Sequence, residues 1–176
     1  VGGGVGIAPI YPQVKWLYEH GVKADVIIGA KTRNLLVYEK ELESISNLYV
    51  TTDDGSSQYK GLVTEMLQRL VDEGKKYDEV IAIGPLIMMK FVSQLSTKLG
   101  IKCTVSLNSI MVDGTGMCGA CRVTVGGEPK FTCADGPEFN VAQVDFDNVM
   151  KRQAMYNNVE NGVFIFSLNA FSISSV

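Results

Sequence analysis

Three short apolar runs constrain this chain more than anything else in it: ADVIIGA at Ala24–Ala30, DEVIAIG at Asp78–Gly84 and IKCTVSL at Ile101–Leu107. Each is too short for a core helix and too continuously apolar for a strand with one wet face. They read as strands buried on both faces. Segments of helical periodicity lie between them. Pro9 and Pro12 suit the first turn of a helix in which Ile10, Val14 and Leu17 recur at helical spacing until Gly21 closes it. A helix is expected around Leu35–Ser44, then the strand NLYVTT. Gly61–Gly74 puts Val63, Met66, Leu67, Leu70 and Val71 on one helical face, and PLIMMKFVSQLSTKLG supplies the next helix. Strands alternating with helices imply an α/β fold with a parallel sheet covered on both faces. Ligands of such sheets bind at the carboxyl ends of the strands.

After Leu107 the pattern changes. Gly114, Gly116, Gly119, Gly126, Gly127 and Gly136 crowd a span that holds three of the four cysteines, and no long helix or strand is expected there. A module this small, about Asn108–Arg152, buries little apolar area alone and leans on a metal or disulfides. The expected organisation is a nucleotide domain at 1–107, a cysteine module at 108–152 and a tail at 153–176. The chain opens without Met in a glycine loop that should follow a buried strand, so it reads as the carboxyl-terminal part of something longer with its first strand truncated. The tail sequence NGVFIFSLNAFSISSV fits a docked strand or a disordered segment, and no function is assigned to it.

Composition excludes several classes. At 176 residues with 46% hydrophobic content the chain can bury a core. A formal net charge of -3 and a pI of about 5.2, with no Lys or Arg cluster, offer nothing to nucleic acid. No stretch approaches the roughly 20 apolar residues of a membrane helix, and the start is no secretory signal. A cytoplasmic location is expected. His20, the only histidine, sits at a helix end, so no histidine-dependent general base is offered.

The loop VGGGVGIAP has the parts of a phosphate cradle: glycines that let backbone approach an anion, and a helix start with unpaired N–H groups. It lacks the G-x-G-x-x-G fingerprint, since Ile7 and Pro9 stand where the third glycine would fall, and a tight turn without ligand is the lesser alternative. GAKT after the second strand, TTDDGS after the third and IGPLIMM before the last helix lie where a dinucleotide would reach. Asp53 or Asp54 could hydrogen-bond an adenosine ribose, which favours NAD, whereas a 2′-phosphate calls for Arg or Lys. A solvated turn before Gly55 explains either residue alone about as well. Plant-type 2Fe-2S sites use C-x4-C-x2-C and a distant fourth cysteine. Here the spacing is Asp113-x4-Cys118-x2-Cys121-x11-Cys133, with a carboxylate for the first thiolate. Carboxylate oxygen also binds iron. Other readings stay open: a structural zinc with Cys3Asp ligation, Asp113 as a turn residue before Gly114, and a disulfide, which a cytosolic compartment disfavours. Cys103 has no spacing partner and reads as buried packing.

GGGVGIAP together with GPLIMM resembles the nicotinamide-binding domain of the ferredoxin-NADP reductase superfamily, in which a separate amino-terminal barrel holds FAD. Ile83 replaces the cysteine usual before that Gly-Pro, and the barrel is absent here. SLNSIMVDGTGMCGACRVTVGGEPKFTCADGPEF resembles the 2Fe-2S domain of dihydroorotate dehydrogenase electron-transfer subunits, a family with cysteine at the first position. It is more similar, with VDFDNVMKRQ, to the small flavin-containing subunits of NADH-dependent reduced ferredoxin:NADP oxidoreductases, the sulfide dehydrogenase subunit-like family. That resemblance runs from Val1 to about Tyr156. It implies an electron-transfer subunit of an NAD(P)H-dependent oxidoreductase moving electrons between NAD(H), FAD held by the missing barrel, a 2Fe-2S cluster, and a larger flavoprotein/iron-sulfur subunit of the glutamate-synthase type. The residues implied are Gly3, Gly4, Val5 and Gly6 at the pyrophosphate, Gly29 and Ala30 beside it, Asp53 or Asp54 at the ribose, Gly84 and Pro85 near the nicotinamide, and Asp113, Cys118, Cys121 and Cys133 on the cluster, with no catalytic acid or base. Without the barrel, this chain alone is expected to lack NADH-oxidising activity.

Overall fold

The computed structural model describes residues 1–155. In chain order the elements are β1 (Gly2–Gly3), α1 (Ile10–Glu19), β2 (Asp25–Ala30), α2 (Glu39–Ile45), β3 (Asn47–Thr52), β4 (Tyr59–Lys60), α3 (Val63–Asp72), β5 (Glu79–Ile83), α4 (Leu86–Lys98), β6 (Lys102–Ser106), β7 (Arg122–Val125), β8 (Glu128–Phe131), α5 (Thr132–Asp135), β9 (Glu138–Asn140) and α6 (Phe146–Ala154). Seven strands form one sheet in the order β4-β3-β2-β1-β5-β6-β9, parallel except for β9, and β7-β8 is a separate hairpin.

Strand periodicity divides the core in two. On β2, Val26 and Ile28 face Ile7, Ile10 and Val14 of the α1 side together with Leu42 of α2. Ile27 faces the other way, into the core of Met66, Leu67 and Leu70 of α3 and Met89 and Val92 of α4. Cys103 is 2% exposed within that second core, as its isolated position in an apolar strand implies.

The segment after Leu107 does not build a core of its own. Val123, Val125, Phe139, Val141, Phe146 and Val149 all join the α3–α4 core. β9 pairs antiparallel with β6, Val105 opposite Phe139 and Ser106 opposite Glu138, so the cysteine module is a long excursion that leaves and re-enters the main sheet at one place. Two expectations need correction. The module holds short regular elements where none of length was expected, among them a nine-residue helix, α6. Its Asp145 caps the start by accepting from Asn148 N, and Phe146 and Val149 are buried at helical spacing. This helix runs to Ala154, past the expected boundary at 152; the expected tail from 156 onward lies outside the described residues. The helix expected at Leu35–Ser44 starts only at Glu39, because Arg33–Leu35 form a 3-10 turn and Tyr38 takes a left-handed φ of 58° before it.

At the opposite edge of the sheet from the strand ends, Asp25 ties three segments together. Its Oδ1 accepts from Asn47 Nδ2 at 2.7 Å, and its Oδ2 accepts from Lys75 Nζ at 2.6 Å and Tyr77 OH at 2.8 Å. Desolvation pushes the carboxyl up, but the Lys75, Asn47 and Tyr77 bonds outweigh it and hold Asp25 below the usual carboxylate range. A depressed folded-state pKa stabilises above the unfolded value, near 3.9, and the contribution fades as pH falls through the folded value. Lys75 is more than a third exposed, which discounts the ion pair. Asp25→Asn is expected to cost about 2 kcal/mol at pH 7, with the gap to wild type narrowing below about pH 4; urea unfolding at the two pH values checks both.

Candidate functional site

The strand order places β1 beside β5, with α1 following β1 over one face and α4 following β5 over the other. That is the topological switch point where open α/β sheets bind their ligands. The loop from Gly4 to Ile7 is a single 3-10 turn leading to α1, whose first residues follow Pro9. It lies tight against the turn after β5. A Cβ on Gly6 would sit 2.5 Å from Ile83 O and 2.6 Å from Gly84 Cα, and one on Gly3 would sit 2.5 Å from Met88 Sδ and 3.0 Å from Pro85 Cδ. Gly4, by contrast, has open space around it and a φ of 54°, and Val5 is 86% exposed. The two strand-end turns thus meet in close contact, Gly6 against the backbone of Ile83 and Gly84, while Gly4 and Val5 leave main chain exposed, the surface a pyrophosphate needs if it is to approach closely.

Of the other residues expected at a nucleotide, Gly29 is buried and serves packing: a Cβ there would strike Val63 Cγ1 and lie 2.9 Å from Thr51 Oγ1. Ala30 joins the loops after β2 and β3, its carbonyl accepting from Asp53 N at 3.2 Å, while Arg33 N donates to Ser56 Oγ at 2.8 Å. The two aspartates, alike in sequence, differ in structure. The Asp54 carboxylate turns back onto its own loop, accepting from Ser56 N at 2.9 Å and Ser56 Oγ at 2.6 Å, and these bonds hold its pKa down. The Asp53 carboxylate is exposed and has no hydrogen-bond partner among the described residues.

β6 is parallel to β5, so the chain beyond Leu107 emerges at this same carboxyl edge of the sheet and returns to it at Glu138. The cysteine loop stands there. Asp113 Oδ1 accepts from Thr115 N at 2.9 Å and Oδ2 from Cys118 N at 3.1 Å; the Thr115 bond leads the downward shift of its pKa. Cys121, buried on β7's approach, and Cys133, carried by α5, place their sulfurs 3.3 Å apart with the Cys121 thiol donating. That thiol pushes Cys133 upward, and the Asp113 charge adds to the shift. Thr132 anchors α5, its Oγ1 donating to Cys121 O at 2.9 Å. All four cysteines are free thiols, which sets the disulfide reading aside for this structure.

The donors therefore arrive as two pairs, Asp113 with Cys118 and Cys121 with Cys133. Among the described residues no three His, Cys, Asp or Glu side chains converge on one ion position. Three thiols and a carboxylate are the kind of anionic donors that iron takes. The set fits an iron-sulfur group.

Fold and loops together define a nucleotide-binding oxidoreductase domain with an iron-sulfur loop appended at its ligand edge. Residues 1–94 match the oxidoreductase NAD-binding domain family, and the chain belongs to that family. Residues 108–145 match the iron-sulfur cluster binding domain of dihydroorotate dehydrogenase B. The chain is 62% identical over 162 residues to an uncharacterized protein of the adh 3′ region of Clostridium beijerinckii, covering 91% of the chain and 55% of that protein. It is 50% identical over 160 residues to a homolog of the dihydroorotate dehydrogenase B (NAD(+)) electron transfer subunit from Thermotoga maritima, covering 91% and 56%. A solved NADH-dependent reduced ferredoxin-NADP oxidoreductase superposes with a TM-score of 0.86 at 47% identity, over 95% of this chain and 60% of its own. The chain spans little more than half the length of the relatives it matches. Among the described residues no helix is long and apolar enough to cross a membrane.

The two glycines of the loop should respond differently to a methyl group. Gly4→Ala is expected to cost about 1–2 kcal/mol, the strain of a left-handed residue. Gly6→Ala should cost more, about 3 kcal/mol, because backbone must move. Equal losses in urea unfolding would show that the loop does not rest on the β5 turn.

Proposed function

We propose that this chain is the nicotinamide and iron-sulfur part of an electron-transfer subunit, one that passes electrons between NAD(H), FAD bound mainly outside these residues, and a 2Fe-2S cluster serving a partner subunit. The observation that carries the reading is the shared edge: the glycine loop between β1 and α1 and the cysteine loop after β6 emerge from the same end of one sheet. Hydride and single-electron chemistry are supplied by the bound cofactors.

The protein's part is placement. Gly4 and Val5 present backbone to a pyrophosphate, Gly3 and Gly6 let that turn lie against the end of β5, and Gly84 and Pro85 stand beside it, toward the nicotinamide. Asp53 is the carboxylate free to take the adenosine ribose hydroxyls; Asp54 holds the loop that presents it. Asp113 and Cys118 form one donor pair for iron, Cys121 and Cys133 the other. No acid or base is needed at either place. The implied partner is a larger flavoprotein/iron-sulfur subunit of the glutamate-synthase type. Service to a dihydroorotate dehydrogenase is the second reading, favoured by the name of the Thermotoga maritima relative and by the match at 108–145. The partner that co-purifies with the full-length protein separates the two.

Anaerobically prepared protein should contain iron and acid-labile sulfide in equal amounts. One zinc with no sulfide would overturn the cluster assignment. Asp113→Ala should lose or damage the cluster, whereas Asp113→Cys should keep one at a lower potential, since a thiolate donates more charge than a carboxylate. An unchanged spectrum in Asp113→Ala would leave Asp113 as a loop residue that binds Thr115 N and Cys118 N.

Binding of NADH should fall about tenfold or more in Asp53→Ala, the loss of a hydrogen bond to a charged group. Asp54→Ala should weaken binding less while loosening the Thr52–Ser57 loop. The reverse order, read by fluorescence titration of NADH, would assign the ribose to Asp54.

A further inference from the structure

Behind the cysteine loop stands a charged side chain that neither donor pair includes. Arg152, in the last turn of α6, is half-buried, and its Nη2 donates to Ala120 O at 3.2 Å and reaches Gly119 O at 3.5 Å. Gly119 and Ala120 are the two residues between Cys118 and Cys121. In a planar trans peptide the C=O of one residue and the N–H of the next point in opposite directions. Drawing the Gly119 carbonyl back toward α6 therefore turns the Ala120 N–H forward. That N–H donates to Cys118 Sγ at 3.5 Å. The Ala120 carbonyl, held by the same guanidinium, turns the Cys121 N–H forward in the same way. The Gly119 carbonyl also accepts from Arg122 N at 3.3 Å, closing the turn from the other side.

The guanidinium is itself held in place. Phe146 and Val149 bury one face of α6 in the main core, Asp145 N donates to Thr124 O at 3.0 Å beside β7, and Lys90 of α4 pairs with Asp147 at 2.7 Å. A helix anchored at three points offers Arg152 to two carbonyls of the loop. Arg suits this better than Lys, because its planar fork loses less freedom per bond than a flexible ammonium.

We propose that Arg152 is a positioning residue for the iron-sulfur loop: it fixes the Gly119–Cys121 peptides so that the Ala120 N–H bonds the Cys118 sulfur, and so sets the potential of a group held there. The proposal rests on the cluster reading above. Hydrogen bonds to a ligand sulfur, and positive charge near it, favour the reduced and more negative state. Arg152 thus raises the potential in two ways, of which the peptide orientation is the one specific to this side chain.

The test is a redox titration of the full chain with its cluster, followed by visible absorption and electron paramagnetic resonance, in wild type, Arg152→Gln, Arg152→Lys and Lys151→Gln. Arg152→Gln is expected to lower the midpoint potential. Arg152→Lys keeps the charge but not the fork, and should fall between Arg152→Gln and wild type. Lys151→Gln removes the same charge from the same helix end without a bond to the loop, and should lower the potential by less than Arg152→Gln does. A wild-type potential in Arg152→Lys, or a Lys151→Gln shift as large as that of Arg152→Gln, would overturn the positioning role; should Arg152→Gln not fold, the Arg152→Lys arm decides alone. If wild type takes up no iron and sulfide, the cluster reading fails by itself, and the clamp is judged in the iron-free chain by amide hydrogen exchange. Exchange about tenfold faster at Ala120 in Arg152→Lys supports the clamp, and an unchanged rate overturns it.

Discussion

The closeness of the glycine loop to the turn after β5 is the constraint on which the rest of this edge depends. Gly6 lies where any Cβ would overlap Ile83 O and Gly84 Cα, so the backbone of two strand ends meets with nothing between. That contact pins the start of α1 against one face and the start of α4 against the other, and it leaves main chain at Gly4 and Val5 as the exposed surface of the switch point. Backbone walls suit a phosphate, whose recognition needs N–H groups and close approach more than side-chain variety. It also explains why only some glycines of VGGGVGIAP are free to meet a ligand: Gly3 and Gly6 are committed to packing, whereas Gly4 and Val5 face open space.

The same edge accounts for the placement of the cysteine loop. A small glycine-rich module has too little apolar surface to fold around its own core. Here it borrows one, Val123, Phe139, Phe146 and Val149 packing into the core that α3 and α4 already form. β9 closes the excursion by pairing with the end of β6. A loop anchored at both ends to the last parallel strand must stand at the ligand end of the sheet. That the glycine loop and the cysteine loop share one end of the sheet is thus a consequence of topology and needs no dedicated linker.

How much of this was legible in the sequence depends on the range of the interaction. The strands and the helices between them could be read from local periodicity, and β2, β5 and β6 fall within the apolar runs; the expected burial on both faces holds for β2, whereas β5 and β6 alternate and leave Ile81 exposed and Thr104 half-buried on one face. The cysteine spacing was equally local. What escaped was decided at a distance. The three residues Glu138–Phe139–Asn140 carry no strand signal of their own, with Phe139 alone buried, and become β9 only because β6 has a free edge. The start of α2 was misplaced because nothing in Leu36–Tyr38 announces a left-handed Tyr38. Asp53 and Asp54 are equivalent in sequence, and only the Ser56 bonds separate them. Arg152 gave no signal at all, being 32 and 33 residues from the carbonyls it holds.

Asp113 shows how a local motif and a distant constraint combine. In the loop it accepts from Thr115 N and Cys118 N, the work of a turn-organising carboxylate, and the same bonds keep it ionised and acceptor-only. A thiolate in that position would offer a larger, softer acceptor to the same two N–H groups. A carboxylate has two oxygens, so it can bind loop amides and still present a lone pair outward. The aspartate thus shapes the loop and keeps further acceptor capacity. Across the loop, Cys133 depends on the contrary arrangement: it rides a four-residue helix whose Thr132 is bonded to Cys121 O, so its sulfur is set by contact with Cys121 and not by its own sequence neighbours. The Asp113–Cys118 side is organised by its own turn and the Cys121–Cys133 side by packing across the module, and the Gly119–Ala120 peptides held by Arg152 are the short segment that joins them.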